Sequence, residues 1–269
     1  MTHSSSHYYL GVLAVVVASV LWGTTGTAAT FAPDVSSLSI AAVSMGCGGL
    51  LQALIAWRFI ARQWTELKQH RSLVLWGALN VAIYPLAFYS SMRLSGVTIG
   101  TVVSIGMAPV AAAIIERLFD KQRLNTRWIV SIFLGVLGVI LLASAKPQHS
   151  ATPQSSELSQ WYNFFGIALG LIAAFTYAMY SWVAHRLIQR KVHSRAAMGS
   201  MFGVGGLCLL PVLLLTGAEL LDSTNNFMVG VYMAAVPMFM GYLLFGYGLR
   251  SIRASLATII TLLEPVVAA

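Results

Sequence analysis

Long apolar stretches alternate with short polar clusters along almost the whole chain. Most of these stretches are about 20 residues long, the length at which an α-helix crosses the hydrocarbon core of a bilayer. The pattern therefore predicts nine membrane-spanning helices joined by short loops. The predicted spans are residues 9–28, 38–57, 72–91, 96–115, 128–145, 163–183, 196–215, 227–248 and 254–269.

The composition agrees with a membrane environment. Of the 269 residues, 58% are hydrophobic and only 9% are charged, whereas an ordinary soluble domain carries about 25% charged residues. A soluble chain with so few polar residues could not cover its core, but a protein surrounded by lipid has no such requirement. We therefore predict an all-α membrane protein.

The positive charges predict the orientation in the membrane. The loops after the second, fourth, sixth and eighth spans carry 14 of the 16 Lys and Arg residues, and the alternate loops carry only Arg93 and Lys146. Basic loops remain in the cytoplasm, so these four loops and the N-terminus are expected on the cytoplasmic side. Because the net charge of +8 is spread over loops rather than gathered on one surface, no nucleic-acid partner is expected.

The chain contains an internal repeat. Residues 98–113 align with residues 254–269 at an offset of 156, which places Pro109 on Pro265. Composition bias explains matching Ala and Val residues, but it does not explain two prolines in the same register.

A second pair of segments repeats at almost the same offset. Residues 11–25 align with residues 166–180 at an offset of 155, which places Trp22 on Tyr177. The two offsets predict two units of five helices each. Since five is odd, the second unit enters the membrane inverted, an arrangement typical of secondary transporters.

The repeat predicts the domain boundaries. The first unit spans residues 1–145 (helices 1–5), a Ser-, Pro- and Gln-rich linker spans 146–160, and the second unit spans 161–269 (helices 6–9, incomplete). The first unit continues 32 residues beyond the point that corresponds to Ala269. We therefore expect a ten-helix architecture truncated within helix 9, with a genuine nine-helix protein as the alternative.

Three stretches carry a family resemblance: VLWGTTG at residues 20–26, the segment 108–142, and LEPVVAA at residues 263–269. In order and spacing they resemble the EamA family of the drug/metabolite transporter superfamily. The resemblance implies ten helices, both termini in the cytoplasm, and export or exchange of small metabolites. It also implies a multi-pass protein of a bacterial-type cytoplasmic (inner) membrane.

Glu264 is the only acidic residue clearly inside a predicted span. An ionisable residue in the membrane is costly and is therefore a functional candidate. The adjacent Pro265 cannot donate a backbone hydrogen bond and leaves a carbonyl free. We predict that Glu264 couples transport to an ion or proton, and that Pro109 and Pro265 act as hinges. The alternatives for Glu264 are a neutral, hydrogen-bonded side chain and a position near the membrane interface.

Aromatic residues mark a candidate substrate site. Trp22 and Thr25 are three residues apart and share a helix face, and so do their repeat counterparts Tyr177 and Tyr180. Substrate sites of inverted repeats lie between the two units, although Trp and Tyr also serve as interface anchors. Trp182, near the end of its span, is predicted to be such an anchor. The weaker candidates for the substrate site are Tyr84, Tyr89, Tyr242 and Tyr247.

The sequence gives little support for a metal site, a cofactor or catalysis. The six histidines lie in loops or at span ends, so neither a metal nor another cofactor is predicted. The sequence has no phosphate-binding GxxxxGK[ST] loop, no GxSxG and no HExxH, so we expect neither ATP-driven transport nor an enzyme. Glu116 and Asp120 are expected in a solvated loop or in salt bridges. Glycines at 135, 138, 203, 205 and 206 predict close helix contacts.

From the residues and the resemblance together, we expect the function to be secondary transport. The substrate is expected to be a small organic metabolite that is amino-acid-like or amphipathic. Transport would proceed by alternating access, as export or exchange. The alternatives are an uncoupled facilitator, or a membrane enzyme or scaffold whose chemistry the sequence does not reveal. The expected partners are the small-molecule substrate and the lipid bilayer, with the protein as a monomer or homodimer.

Overall fold

The computed structural model describes residues 2–121 and 156–268, together with Val130 and Phe133. Apart from those two residues, the predicted fifth span lies outside this part of the chain. So do residues 146–155 of the predicted linker and the glycines at 135 and 138. Within the described residues the secondary structure is helical, with no β-strand, which confirms the all-α prediction.

Seven helices end before the undescribed segment. They are α1 (Thr2–Thr30), α2 (Ser37–Ala41), α3 (Gly48–Arg62), α4 (Trp64–Gln69), α5 (Arg71–Ser95), α6 (Val97–Gly106) and α7 (Ala108–Phe119). A π-helix, Ala42–Cys47, joins α2 to α3. The π-helix makes α2 and α3 one continuous span.

Six helices follow that segment. They are α8 (Ser156–Gln189), α9 (Ser194–Thr216), α10 (Thr224–Met233), α11 (Gly241–Gly248), α12 (Ala254–Ile260) and α13 (Glu264–Ala268). A π-helix, Ala234–Met240, joins α10 to α11, and a short 3₁₀-helix, Thr261–Leu263, joins α12 to α13. Another 3₁₀-helix, Gly217–Leu221, follows α9.

Among the described residues, seven helical stretches are long and apolar enough to cross a membrane, and they agree in position with seven of the predicted spans. The predicted ninth span, 254–269, consists instead of the short helices α12 and α13 and the 3₁₀-turn between them. Several helices extend beyond their apolar core, and α8 already begins at Ser156, inside the predicted linker. The length of the apolar stretch indicates which part of a helix lies in lipid, whereas backbone hydrogen bonding determines where the helix ends.

The helices pack closely along a few long seams. The helix α5 packs along α8, α3 along α9, and α1 along α11. A methyl group at Gly203 would lie 2.6 Å from Cβ of Ala53, and one at Gly205 would lie 2.9 Å from the carbonyl oxygen of Ala78. Small residues permit such close approach of spanning helices, so the predicted role of these glycines is confirmed.

Both predicted hinge prolines stand at helix breaks. The break between α6 and α7 falls at Met107, and Pro109 lies in the first turn of α7. The break between α12 and α13 is the 3₁₀-turn Thr261–Leu263, and Pro265 lies in the first turn of α13. Proline is tolerated in a first turn because its missing N–H has no partner to lose there. At the repeat offset of 156 residues, the break at Met107 corresponds to the break in Thr261–Leu263. Hinge motion and the inversion of the second unit stay predictions.

The two π-helices lie against each other in the interior. A π-helix inserts an extra residue into a turn and occurs often at functional sites. In Ala234–Met240, Pro237 has no backbone N–H to donate, which favours a local change of hydrogen-bond register. No proline occurs in the other π-helix, Ala42–Cys47.

Candidate functional site

A narrow cavity lies where α1, α5, α8, α11, α13 and both π-helices meet. It leaves about 10 Å³ for the centre of a water molecule, which is roughly what one water needs. Aromatic side chains make up half of its lining. The lining residues are Trp22, Thr25, Ser44, Met45, Tyr84, Pro85, Phe88, Tyr89, Tyr177, Met238, Tyr242 and Glu264.

The structure brings most of the predicted site residues together around this cavity. Those lining it are Trp22, Thr25, Tyr84, Tyr89, Tyr177, Tyr242 and Glu264. Tyr180 instead lies behind the lining, fully buried, with its hydroxyl 2.6 Å from that of Tyr242. Tyr247 does not line the cavity, and its ring contacts the Arg250 guanidinium. The binding and coupling roles of these residues stay predictions.

Trp22 is held in a fixed orientation at the centre of the site. It is 4% exposed, and its indole N–H donates to the carbonyl oxygen of Pro237 over 2.8 Å. Gly241 makes room for the ring, because a methyl group there would lie 2.5 Å from the indole nitrogen. Trp22 is therefore an interior residue of the helix bundle and does not act as a surface anchor.

The tyrosines form a contiguous aromatic wall. The ring centre of Tyr177 lies 6.3 Å from that of Trp22, edge to face, and 5.6 Å from that of Tyr84. The Tyr177 hydroxyl donates to Oγ1 of Thr261 over 3.0 Å. The wall is thereby connected to the helix break immediately before Glu264.

Glu264 opens into the cavity as its one acidic group. The side chain is 7% exposed, so it is buried rather than at the interface. Within the described chain its carboxylate has no hydrogen bond or ion pair, and no Lys, Arg or His lines the cavity. The titratable groups that face it are the phenols of Tyr84, Tyr89, Tyr177 and Tyr242.

Sequence reasoning missed five of the lining residues. Phe88 lies one turn after Tyr84, so helical spacing identifies it as a neighbour on the same face. The others carry no comparable signal, because Met45 and Met238 read as ordinary apolar positions. The missed residues are Ser44, Met45, Pro85, Phe88 and Met238.

Polar contacts join the helices at the end of the bundle that carries the basic loops. Glu116, on α7, is 7% exposed and accepts hydrogen bonds from the backbone N–H of Ser255 at 3.1 Å and from its hydroxyl at 2.8 Å. Because Ser255 lies in the first turn of α12, Glu116 joins the two interrupted spans. The expectation of a solvated Glu116 is therefore wrong: it lies on a helix, and its carboxylate is buried against α12.

A neighbouring pair involves Asp120. Its carboxylate accepts from the guanidinium of Arg186 at 2.5 Å and from the indole N–H of Trp182 at 2.7 Å. The salt-bridge expectation for Asp120 is confirmed. The anchor expectation for Trp182 is wrong, because this side chain is 6% exposed and bonded inside the bundle. Asp120 and Arg186 border a second cavity of about 460 Å³ at the same end.

The opposite end is held by Glu219, in the 3₁₀-helix after α9. Its carboxylate accepts from the backbone N–H of Ser36 at 2.5 Å and from the hydroxyl of Ser39 at 3.3 Å. The side-chain amide of Asn226 donates to its carbonyl oxygen at 2.9 Å. The start of α2, the end of α9 and the start of α10 are thereby tied together.

Comparison with known proteins matches this chain to a family of transporters. The model of the EamA-like transporter family matches residues 9–144 and 164–269. An uncharacterized transporter of Bacillus subtilis, YwfM, is 27% identical over 257 residues, covering 95% of this chain and 82% of the relative. An uncharacterized inner membrane transporter of Salmonella typhimurium, YicL, is 23% identical over 261 residues, with coverages of 95% and 83%.

A solved crystal structure has the same fold. It superposes with a TM-score of 0.69 at 17% sequence identity and covers 96% of this chain and 85% of that chain. At this identity the likeness concerns the fold alone.

Proposed function

Because this chain belongs to the EamA-like transporter family, we propose that it is a secondary transporter that moves a small organic metabolite by alternating access. The chain is a multi-pass membrane protein, and its family and named relatives are transporters. We place it in the cytoplasmic membrane, as an exporter or exchanger. The transporter family also favours a non-enzymatic role.

The observation that carries the proposal is the convergence on one buried cavity. Trp22 and Tyr84 come from the first half of the chain, and Tyr177, Tyr242 and Glu264 come from the second half. A substrate site at the interface between two halves is the arrangement that alternating access uses. If the halves rock against each other, each end of the cavity can open in turn.

The polar contacts at the two ends support this interpretation. Ser255 donates to Glu116 at the end that carries the basic loops, and Ser36 donates to Glu219 at the other end. Each pair joins the two halves of the chain through side-chain hydrogen bonds, so either pair can separate without breaking a helix. We propose that opening alternates between these two sets of contacts, with Pro109 and Pro265 at the bending points.

Transport in proteoliposomes tests the assignment. A metabolite-export screen on overexpressing cells would supply the substrate, and the purified protein would then be assayed for its movement. We expect Trp22→Phe to lower the transport rate at least tenfold, because Phe cannot donate to Pro237. Trp57→Phe is the matched control, since Trp57 faces outward and is 58% exposed. Equal loss in both variants, or in neither, would count against the cavity as the substrate site.

Proton coupling through Glu264 is the second element of the proposal. We expect a pH gradient to accelerate transport by the wild type but not by Glu264→Gln, which removes the titrating group and keeps the size. Glu66→Gln makes the same change on the exposed helix α4 and should respond as the wild type does. Gradient-stimulated transport by Glu264→Gln at the wild-type level would leave an uncoupled facilitator.

A further inference from the structure

The central cavity is lined by an acidic residue and by no basic residue. Six of the twelve lining residues are aromatic, one is acidic, and none of the twelve is basic. Building on the transport function proposed above, we propose that the cavity binds the protonated primary or secondary amine of its substrate, with Glu264 as the counter-ion and the aromatic rings as the walls.

The isolation of Glu264 supports a cationic ligand. A buried carboxylate that lacks both a counter-charge and hydrogen bonds is unfavourable in its ionised form. An ammonium group beside it would supply the charge and the donors that the described residues around it do not. An anionic substrate would instead meet the only charge in the lining with the wrong sign.

The aromatic walls favour an organic cation. The faces of Trp and Tyr rings attract ammonium groups, and the gain grows when the pair is shielded from water. A metal ion has less support, because hard cations require several oxygen ligands. Among the described residues no group of three or more His, Cys, Asp or Glu could hold one.

Four hydrogen-bond donors of the lining are already used within the protein. The indole N–H of Trp22 donates to Pro237, and the hydroxyls of Thr25 and Ser44 donate to the carbonyl oxygens of Trp22 and Ala41. Tyr177 donates to Thr261. The Glu264 carboxylate accepts no hydrogen bond from the described residues. It can therefore accept one from an N–H-bearing amine, whereas a quaternary ammonium has no N–H to donate.

The cavity must widen to admit such a group, because its present space suits about one water. Two of its walls are side chains that can move at low cost. Met45 and Met238 come from the two π-helices, and the unbranched methionine side chain adapts readily to a new shape. We place the amine between these methionines, Trp22 and Glu264.

Binding to the purified full chain in detergent tests the proposal independently of transport. The probes are phenethylamine, 2-phenylethanol, 3-phenylpropionate and the N,N,N-trimethyl derivative of the amine, measured by calorimetry. We expect the amine to bind at least tenfold more tightly than the alcohol, and more tightly than the carboxylate and the trimethyl derivative. Glu264→Gln should remove the preference for the amine, and Glu66→Gln should keep it.

A second measurement uses the wild type alone, in case Glu264→Gln does not fold. A carbodiimide attaches to buried carboxyl groups, and mass spectrometry of the peptide that contains Glu264 gives its rate of modification. The amine should slow this modification and the alcohol should not. Equal binding of amine and alcohol, a preference for the carboxylate, or no protection by the amine would each overturn the proposal.

The outcomes separate this inference from the function on which it rests. Transport of a neutral or acidic metabolite that depends on Trp22, without amine preference, would overturn the amine site and leave the transporter. Specific amine binding without movement of any amine across proteoliposomes would support the site and contradict the transport function.

Discussion

At the scale of single residues, the site depends on a close fit between Trp22 and Gly241. The indole ring packs over the glycine and reaches the carbonyl oxygen of Pro237, within a π-helix. The position of the ring therefore depends on the absence of a side chain on the neighbouring helix. A glycine here has a packing role, which sequence patterns do not distinguish from helix flexibility.

Gly241→Ala should displace the indole. The new methyl group would lie 2.5 Å from the indole nitrogen, and overpacking of this kind costs about 1–3 kcal/mol. We expect a lower unfolding temperature in detergent and a slower transport rate. In Gly26→Ala no heavy atom lies within 4 Å of the added methyl group, so it should be neutral or stabilising. Equal stability of the two variants would contradict the packing role.

The aromatic candidates show what residue spacing can and cannot predict. A spacing of three places Tyr177 and Tyr180 on one helix face, and both are buried. Yet α8 has neighbours on several sides, so Tyr177 reaches the cavity while Tyr180 packs behind Tyr242. Spacing defines a face, but only the positions of the surrounding helices define what the face meets.

At the scale of elements, His193 fixes the start of α9. Its ring nitrogen Nδ1 accepts from the backbone N–H of Arg195 at 3.2 Å, and the ring stacks on Phe59 at 4.4 Å. Its backbone N–H donates to the side chain of Gln63 at 2.6 Å. Burial, and then the charges of Arg250 and Arg195, lower the pKa of His193 below 6.5.

The cap should make stability depend on pH. As the pH falls below about 6.5, the unfolded chain takes up the proton before the folded one, so this contribution to stability is full above 6.5. It is lost as the pH falls through the lower folded pKa. His193→Asn keeps a cap acceptor and does not titrate, so its unfolding temperature should fall less between pH 7.5 and pH 5. If the unfolding temperatures of the two proteins fell in parallel with pH, His193 would not contribute to the pH dependence of stability.

Helix breaks were only partly predictable from the sequence. The prolines at 109 and 265 mark the interrupted spans, because proline belongs in a first turn. The π-helix Ala42–Cys47 contains no such marker, since its apolar residues would fit an α-helix equally well. Run length and proline thus predict the spans and two of their breaks, while π-helical register arises from packing between helices.

At the scale of the whole molecule, the polar contacts divide the bundle into two ends. Arg190 and Lys191 lie at one end with His70 and Gln63, and Glu219 lies at the other. The charge distribution of the sequence predicts that the first end faces the cytoplasm.

Cysteine labelling in intact cells tests this orientation. In a variant whose Cys47 and Cys208 are replaced by alanine, a cysteine at Arg190 should resist a membrane-impermeant thiol reagent. A cysteine at Asp222 should react quickly, and both positions are exposed in the structure. Disruption of the cells should make both reactive. Fast labelling at position 190 with protection at 222 would reverse the orientation.

The π-helix between α2 and α3 has one more consequence. An α-helix advances by about 100° per residue, so one extra residue rotates everything on one side of it relative to the other. Ser44 and Met45 can therefore face the cavity while, further along the same span, Ala53 meets Gly203. Removing one residue from Ala42–Cys47 would keep the span long enough for the bilayer, yet only one of these two surfaces could remain aligned with its partner.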